Sequence, residues 1–194
     1  VIEIAPTTFA AIDDVTLLPP ESFAPLVGDG THIAEAARLL AGAKKPLIWV
    51  GAGASGGAAY VHQIAEYLQA PVVSSRSGKG VLSDRHPLSL GMANLAFAPL
   101  KDRIDACDVI LAVGTSTDFS DRIDRQTVIR IDSDPAEIDR DDAQTIGIAG
   151  EARWGLENLA HDLAGMTVSQ PEITEDIKTI NTHRYGPEEQ LQPQ

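Results

Sequence analysis

Short apolar runs alternate along this chain with segments whose apolar residues fall on one face of a helix. The runs Leu47–Val50, Val109–Val113 and Val128–Ile131 have strand length, and Pro71–Ser74 and Ile146–Ala149 are shorter or weaker ones. Strands that are apolar throughout are typical of parallel sheets covered by helices on both faces. The pattern therefore predicts a doubly wound α/β fold, with five or six strands over about residues 30–165.

In the segments between these runs, the apolar residues are spaced as they are on one face of a helix. Thr31 stands where it can cap a first helix, and Gly42 and Pro46 are placed to end that helix. Apolar residues at i, i+3, i+4 and i+7 define two helices, and a third repeats the spacing near residue 160: Ile33, Ala36, Ala37 and Leu40; Val61, Ile64, Ala65 and Leu68; Ala152, Leu156, Leu159, Ala160 and Leu163. Pro99–Ala106 is a fourth helix candidate. Val1–Ile4 indicates a strand, and Ala5–Pro25, with four prolines, an extended linker.

A glycine-rich turn, GAGASGG at residues 51–57, directly follows the first apolar run and matches G-x-G-x-x-G. Glycines allow close backbone approach, and a helix beginning there would direct its free N–H groups at a ligand. Dinucleotide sites also need an acidic residue about 20 positions later. Residues 73–77 read VSSRS, without a carboxylate, which disfavours NAD in its usual pose. A nucleotide site and a packed turn without ligand both stay open.

Polar residues follow two further strands. Gly114-Thr115-Ser116-Thr117 comes after the run at 109–113, and IDSDPAE comes after the run at 128–131. Asp132 either accepts hydrogen bonds from a ribose or adenine, or caps the short helix starting at Pro135, as we expect Asp134 to do. A calcium loop needs glycine at its sixth position, where Glu137 stands instead.

Composition and motif spacing disfavour several classes of function. The net charge of −13 disfavours nucleic acid and anionic membranes as partners. No apolar run is long enough to span a bilayer, and the N-terminus lacks the features of a signal peptide. The single cysteine, Cys107, allows no internal disulfide and fits a cytoplasmic protein. The five histidines have no metal-ligand spacing, and Gly28-Asp29-Gly30 is predicted to be a turn, since no asparagine follows before Asn94.

Six motifs then follow one another in a recognisable order: ARLL, KKPLIWVGAGA, APVVSSRSGKGVLSDRHPLSLGM, CDVILAVGTSTDF, VIRIDSDPAEI and IAGEARWGLENL. Over about residues 22–165 the chain resembles the central domain of thiamine diphosphate-dependent 2-oxo acid decarboxylases and carboligases. This is the acetolactate synthase and pyruvate decarboxylase superfamily. VIEIAPTTF resembles the closing strand of the pyrimidine-binding domain that precedes the central domain in this superfamily.

The resemblance implies a Rossmann-like, six-stranded, mainly parallel sheet with helices on both faces. It implies that residues 1–25 end the preceding domain, 26–168 form the central domain, and 169–194 lead toward a diphosphate-binding domain. Thiamine diphosphate and Mg²⁺ would then be bound by the full-length parent, a homodimer or homotetramer, and not by this segment. We expect no catalytic residue and no metal ligand in the segment, which by itself would be inactive.

In some members of the superfamily the central domain binds FAD or ADP. Carried over motif by motif, the resemblance implies the following cofactor-binding residues: Gly51, Gly53, Ala54, Gly91, Met92, Gly114, Thr115, Asp132, Ser133 and Asp134. The alternative reading of the same residues is a stand-alone Rossmann-type module that binds NAD or FAD. A zinc-dependent NAD deacylase is excluded, because one cysteine cannot supply its zinc ligands.

Overall fold

The structure is a computed structural model that describes residues 5–10, 12, 14, 16, 19, 28, 30–119, 125–138, 145–169, 177 and 180. Within these residues the strands are Pro46–Val50 (β1), Val72–Ser74 (β2), Ser89–Met92 (β3), Val109–Val113 (β4), Thr127–Asp132 (β5) and Thr145–Ala149 (β6). The α-helices are Ile33–Gly42 (α1), Ala58–Leu68 (α2), Ala98–Asp105 (α3), Pro135–Ile138 (α4) and Ala152–Leu163 (α5).

The six strands form one parallel sheet in the order β3-β2-β1-β4-β5-β6. This is the doubly wound Rossmann-like order, in which the chain reverses direction across the sheet between β1 and β4. β1 and β4 pair along their full length, from Pro46 opposite Val109 to Val50 opposite Val113. The predicted fold class is therefore confirmed, with the reversal point at the two central strands.

Every residue of β1 and β4 is buried, as their unbroken apolar sequences require. α1 and α2 both pack against α5, so these three helices share one face of the sheet. The crossovers that contain α3 and α4 run in the opposite direction to the β1–β2 crossover. Because such crossovers are right-handed, α3 and α4 lie on the opposite face. The apolar faces predicted for α1, α2 and α5 are all buried in this core.

Several local expectations were wrong. A 3-10 turn over Gly30–His32 precedes α1, so His32 and not Thr31 occupies the cap position. Pro6–Ala10 forms a 3-10 helix where an extended linker was expected. β3 was not expected from the sequence as a strand. The glycine turn continues as a 3-10 helix over Ala52–Gly57, and α2 begins only at Ala58. The strand predicted at residues 1–4 lies outside the described residues, as does Asp29.

Candidate functional site

A cleft of about 490 Å³ opens at the carboxyl ends of the strands, beside the reversal point between β1 and β4. Parallel α/β sheets bind ligands at this place, because loops from neighbouring strands diverge there. Five segments line it: the turn after β1, the segment 75–77 after β2, the loop 114–117 after β4, residues 131–134 and 137 from the end of β5 onward, and Ala152 at the start of α5. Its volume lies in the ordinary range of small-molecule sites.

The turn after β1 and the turn after β4 meet in what we call the glycine seam, formed by Gly51, Gly53 and Gly114. A Cβ on Gly53 would lie 2.9 Å from the Cα of Gly114, and one on Gly51 would overlap the Gly114 carbonyl. Gly114 itself has φ of +52°, which L side chains rarely adopt. Contact between the two turns therefore requires glycine at all three positions, whether or not a ligand binds.

The amides of the seam are already used inside the protein. The N–H of Gly51 donates to Val113 O at 2.9 Å, and the N–H of Gly53 donates to Gly114 O at 3.1 Å. The N–H of Ala54 donates to Gly51 O at 3.2 Å. A phosphate cradle needs backbone N–H groups that point outward without a partner. These three amides do not provide one.

Buried Arg130, in the middle of β5, holds the loop after β4 in place. Its Nη1 donates to Thr115 O at 2.6 Å and its Nη2 donates to Thr117 O at 2.8 Å. The guanidinium carbon lies 5.4 Å from the centre of the Phe119 ring, which packs edge-to-face on Trp49. A buried cation is stabilised by hydrogen bonds and ring contacts of this kind, which replace its water. Arg130 therefore holds in position the carbonyl groups of Thr115 and Thr117, two residues that line the cleft.

The opposite wall is the carboxylate loop, residues 132–137. Asp132 Oδ1 accepts a hydrogen bond from the Asp134 N–H at 3.0 Å, and Asp134 Oδ1 accepts one from the Ala136 N–H at 2.9 Å. Asp134 thus caps α4, as predicted, and Asp132 shapes the turn before it. Each carboxylate has further lone pairs for a ligand, since an ionised carboxyl can accept several hydrogen bonds.

Charge is distributed unevenly around the cleft. Asp132, Asp134 and Glu137 line one side, and Arg76 is the one cation among the described lining residues. Arg76 is exposed and follows β2, where many dinucleotide sites carry a carboxylate. The cleft therefore pairs a carboxylate side suited to hydroxyl and amine donors with a single cationic group suited to phosphate.

Seven of the ten sequence-predicted binding residues line this cleft: Gly51, Gly53, Gly114, Thr115, Asp132, Ser133 and Asp134. Ala54 is fully buried beneath the turn, and Gly91 and Met92 lie in β3, outside the lining. The sequence prediction did not include Ser75, Arg76 and Ser77, which the structure brings to the same cleft. Their position directly after a strand of the sheet was the sequence feature that could have predicted them as cleft residues.

Two further observations concern membrane-spanning helices and the single cysteine. Within the described ranges, every helix is too short or too polar to cross a membrane. Cys107 is buried, donates its S–H to Ile104 O at 2.9 Å, and lies 3.1 Å from the side-chain amide of Gln126. Buried and bonded in this way, the thiol of Cys107 packs in the core.

Comparisons with known proteins identify relatives of this fold. A family profile described as "Thiamine pyrophosphate enzyme, central domain" matches residues 33–159. The chain is 32% identical over 157 residues to a probable acetolactate synthase large subunit of Methanocaldococcus jannaschii, covering 75% of this chain and 26% of that protein. It is 36% identical over 129 residues to a probable 2-ketoarginine decarboxylase of Pseudomonas aeruginosa, covering 64% of this chain and 23% of that protein.

A solved structure has the same fold. It belongs to a putative thiamin diphosphate-dependent enzyme isolated from Mycobacterium smegmatis, with a TM-score of 0.58 and 19% sequence identity. The match covers 84% of this chain and 31% of that one. The chain spans about a quarter of the length of the curated relatives that it matches.

Proposed function

The chain belongs to the thiamine pyrophosphate enzyme central-domain family, and from this premise we propose that it is the middle domain of a larger enzyme acting on a 2-oxo acid. Residues 26–168 form that domain, 1–25 join it to a pyrimidine-binding domain, and 169–194 lead to a diphosphate-binding domain. The parent binds thiamine diphosphate and Mg²⁺ through those flanking domains, and works as a cytoplasmic homodimer or homotetramer. Similarity to both a synthase and a decarboxylase supports the 2-oxo acid class.

Within the parent, we propose that the middle domain stabilises the assembly and binds the adenosine diphosphate moiety of ADP or FAD in its cleft. The observation that carries this proposal is the convergence of seven predicted contact residues on one cleft at the strand-order reversal. Asp132 and Asp134 accept hydrogen bonds from ribose hydroxyls or the adenine amine. Arg76, with the hydroxyls of Ser75 and Ser77, takes the diphosphate, because the seam amides are already bonded.

Titration of the purified chain with ADP, FAD, NAD and adenosine, followed by calorimetry, tests the cleft. We expect ADP or FAD to saturate one site, and adenosine to bind at least tenfold more weakly because it lacks the charge-assisted contacts. Arg76→Ala should weaken ADP binding about tenfold. Arg85→Ala is the matched control, since Arg85 is exposed and lies outside the cleft lining.

Three results would contradict the nucleotide site. They are the absence of saturation by ADP or FAD at millimolar concentration, tightest binding by NAD, and equal loss in both arginine variants. The first would leave the structural role of the domain standing. The wider assignment is tested by the flanking sequence of the parent: a cofactor-activating glutamate before this domain, and a Gly-Asp-Gly motif with a distant asparagine after it, are expected. Absence of both would contradict it.

A further inference from the structure

Three potential metal ligands meet on the surface, away from the residues that line the cleft. His62 and Glu66 are one turn apart on α2, so both project from the same side of the helix. His86 comes from the segment between β2 and β3. Taking one ligand atom from each residue, an imidazole nitrogen from each histidine and a carboxylate oxygen from Glu66, the three atoms all lie within 4.8 Å of one another.

We propose that His62, Glu66 and His86 bind a divalent transition-metal ion of the zinc type. His62 Nδ1 lies 3.4 Å from one Glu66 oxygen, and His86 Nε2 lies 3.6 Å from the other. A tetrahedral zinc ion with bonds of its usual length holds neighbouring ligand atoms about 3.4 Å apart. Each histidine is therefore near the zinc-ligand spacing from one Glu66 oxygen, and binding requires a side-chain adjustment that brings the His62 and His86 nitrogens around one ion.

The ligand set selects among metals. Two imidazole nitrogens with one carboxylate oxygen suit Zn²⁺, Ni²⁺ or Cu²⁺, whereas Mg²⁺ and Ca²⁺ favour sites made of oxygen alone. Three protein ligands leave a fourth position for water. The imidazole rings lie edge-to-face with centroids 4.7 Å apart, so the two histidines are already neighbours beside Glu66.

The hydrogen bond between Leu88 and His86 opposes metal binding and so lowers the expected affinity for zinc. The Leu88 N–H donates to His86 Nδ1 at 3.2 Å, so the neutral ring carries its proton on Nε2. A metal ion at Nε2 displaces that proton, and the ring then holds its proton on Nδ1 and loses the Leu88 contact. We therefore expect micromolar rather than nanomolar binding. The bound ion would tie α2 to the segment whose first residues, 75–77, line the cleft.

Calorimetric titration of the untagged, chelator-treated chain with zinc sulfate tests the site. We expect one saturable micromolar site, with Mg²⁺ at least a hundredfold weaker. His86→Gln and Glu66→Gln should each weaken zinc binding at least tenfold. His161→Gln, which removes an exposed histidine of α5, is the control and should change nothing.

Glu66 is more than half exposed, so Glu66→Gln tests the site even if His86→Gln fails to fold. Four results would overturn the proposal. They are no saturable zinc binding at millimolar concentration, unchanged zinc affinity in Glu66→Gln, equal affinity for Mg²⁺ and Zn²⁺, and a loss of affinity in His161→Gln as large as that in Glu66→Gln.

Discussion

The glycine seam and the carboxylate loop face the same cleft, yet backbone contacts hold the first and side chains hold the second. In the seam, two turns approach so closely that no Cβ fits, and amides of the first turn donate to Val113 O at the end of β4 and to Gly114 O. In the loop, Asp132 and Asp134 each accept a hydrogen bond from an amide two residues later. The motif that most resembles a ligand site is thus explained by packing, and the groups left for a ligand lie around it.

The largest expected effect comes from crowding the seam. Gly51→Ala should lower the free energy of unfolding by about 2–3 kcal/mol, because its Cβ overlaps the Gly114 carbonyl and the turns must separate. Gly56→Ala is the matched control in the 3-10 helix that follows, where an added Cβ meets no atom within 4 Å. Urea denaturation of both variants measures the difference. Equal stability of the two variants would show that the seam tolerates separation.

We expect the second-largest loss of stability at Arg130, which anchors the loop after β4. Arg130→Met leaves the carbonyls of Thr115 and Thr117 without the donors that they have now, and should cost about 2 kcal/mol. Arg38→Met is the control, because exposed Arg38 makes one long bond to Ala34 O, and its effect should stay within about 0.5 kcal/mol. Urea denaturation measures both losses, and an unchanged midpoint in Arg130→Met would contradict the anchoring role.

The third effect should be smaller, since it falls on the exposed loop. Asp134→Ala removes the cap of α4 and should cost about 1 kcal/mol, measured by the same denaturation. Ser133→Ala, its exposed neighbour, should change stability by less than about 0.5 kcal/mol. A loss in Asp134→Ala as large as that in Gly51→Ala would remove the distinction between the two walls.

The same contrast explains what the sequence could predict. β1 and β4 are apolar throughout and buried throughout, so pattern alone identified them. β3 was missed because it is short, lies at the sheet edge, contains Gly91 at φ of +64°, and pairs with β2 through a shift in register. Local pattern carries strong signals for central strands and weak ones for edges.

At the candidate sites, the sequence could not predict the contacts between residues that are distant along the chain. The motifs placed Gly51, Gly114 and Asp132 at one sheet edge, because the carboxyl ends of parallel strands meet there. Nothing in the sequence showed that the seam amides would be bonded across the two turns. Likewise His86 is far along the chain from His62, and only the path between β2 and β3 brings the two rings together.

The smallest effect lies behind the seam, where α2 packs on α5. The Tyr60 hydroxyl donates a hydrogen bond to the Glu157 carboxylate, and this bond, with partial burial and the nearby negative charge, raises the pKa of Tyr60 above its ordinary 10.0, against the opposing charge of Arg153. As pH rises past that value, the unfolded chain loses this proton before the folded one. Stability from the bond is therefore complete below pH 10.0 and is lost above it.

Tyr60→Phe should consequently be less stable than the native chain at pH 8 and lose stability less steeply toward pH 11. Urea midpoints at a series of pH values measure both slopes. Tyr67→Phe, which keeps Tyr60 and removes a hydroxyl bonded to Met166 O, should retain the native slope. Parallel curves for the native chain and Tyr60→Phe would mean that the Tyr60–Glu157 hydrogen bond does not stabilise the contact between α2 and α5.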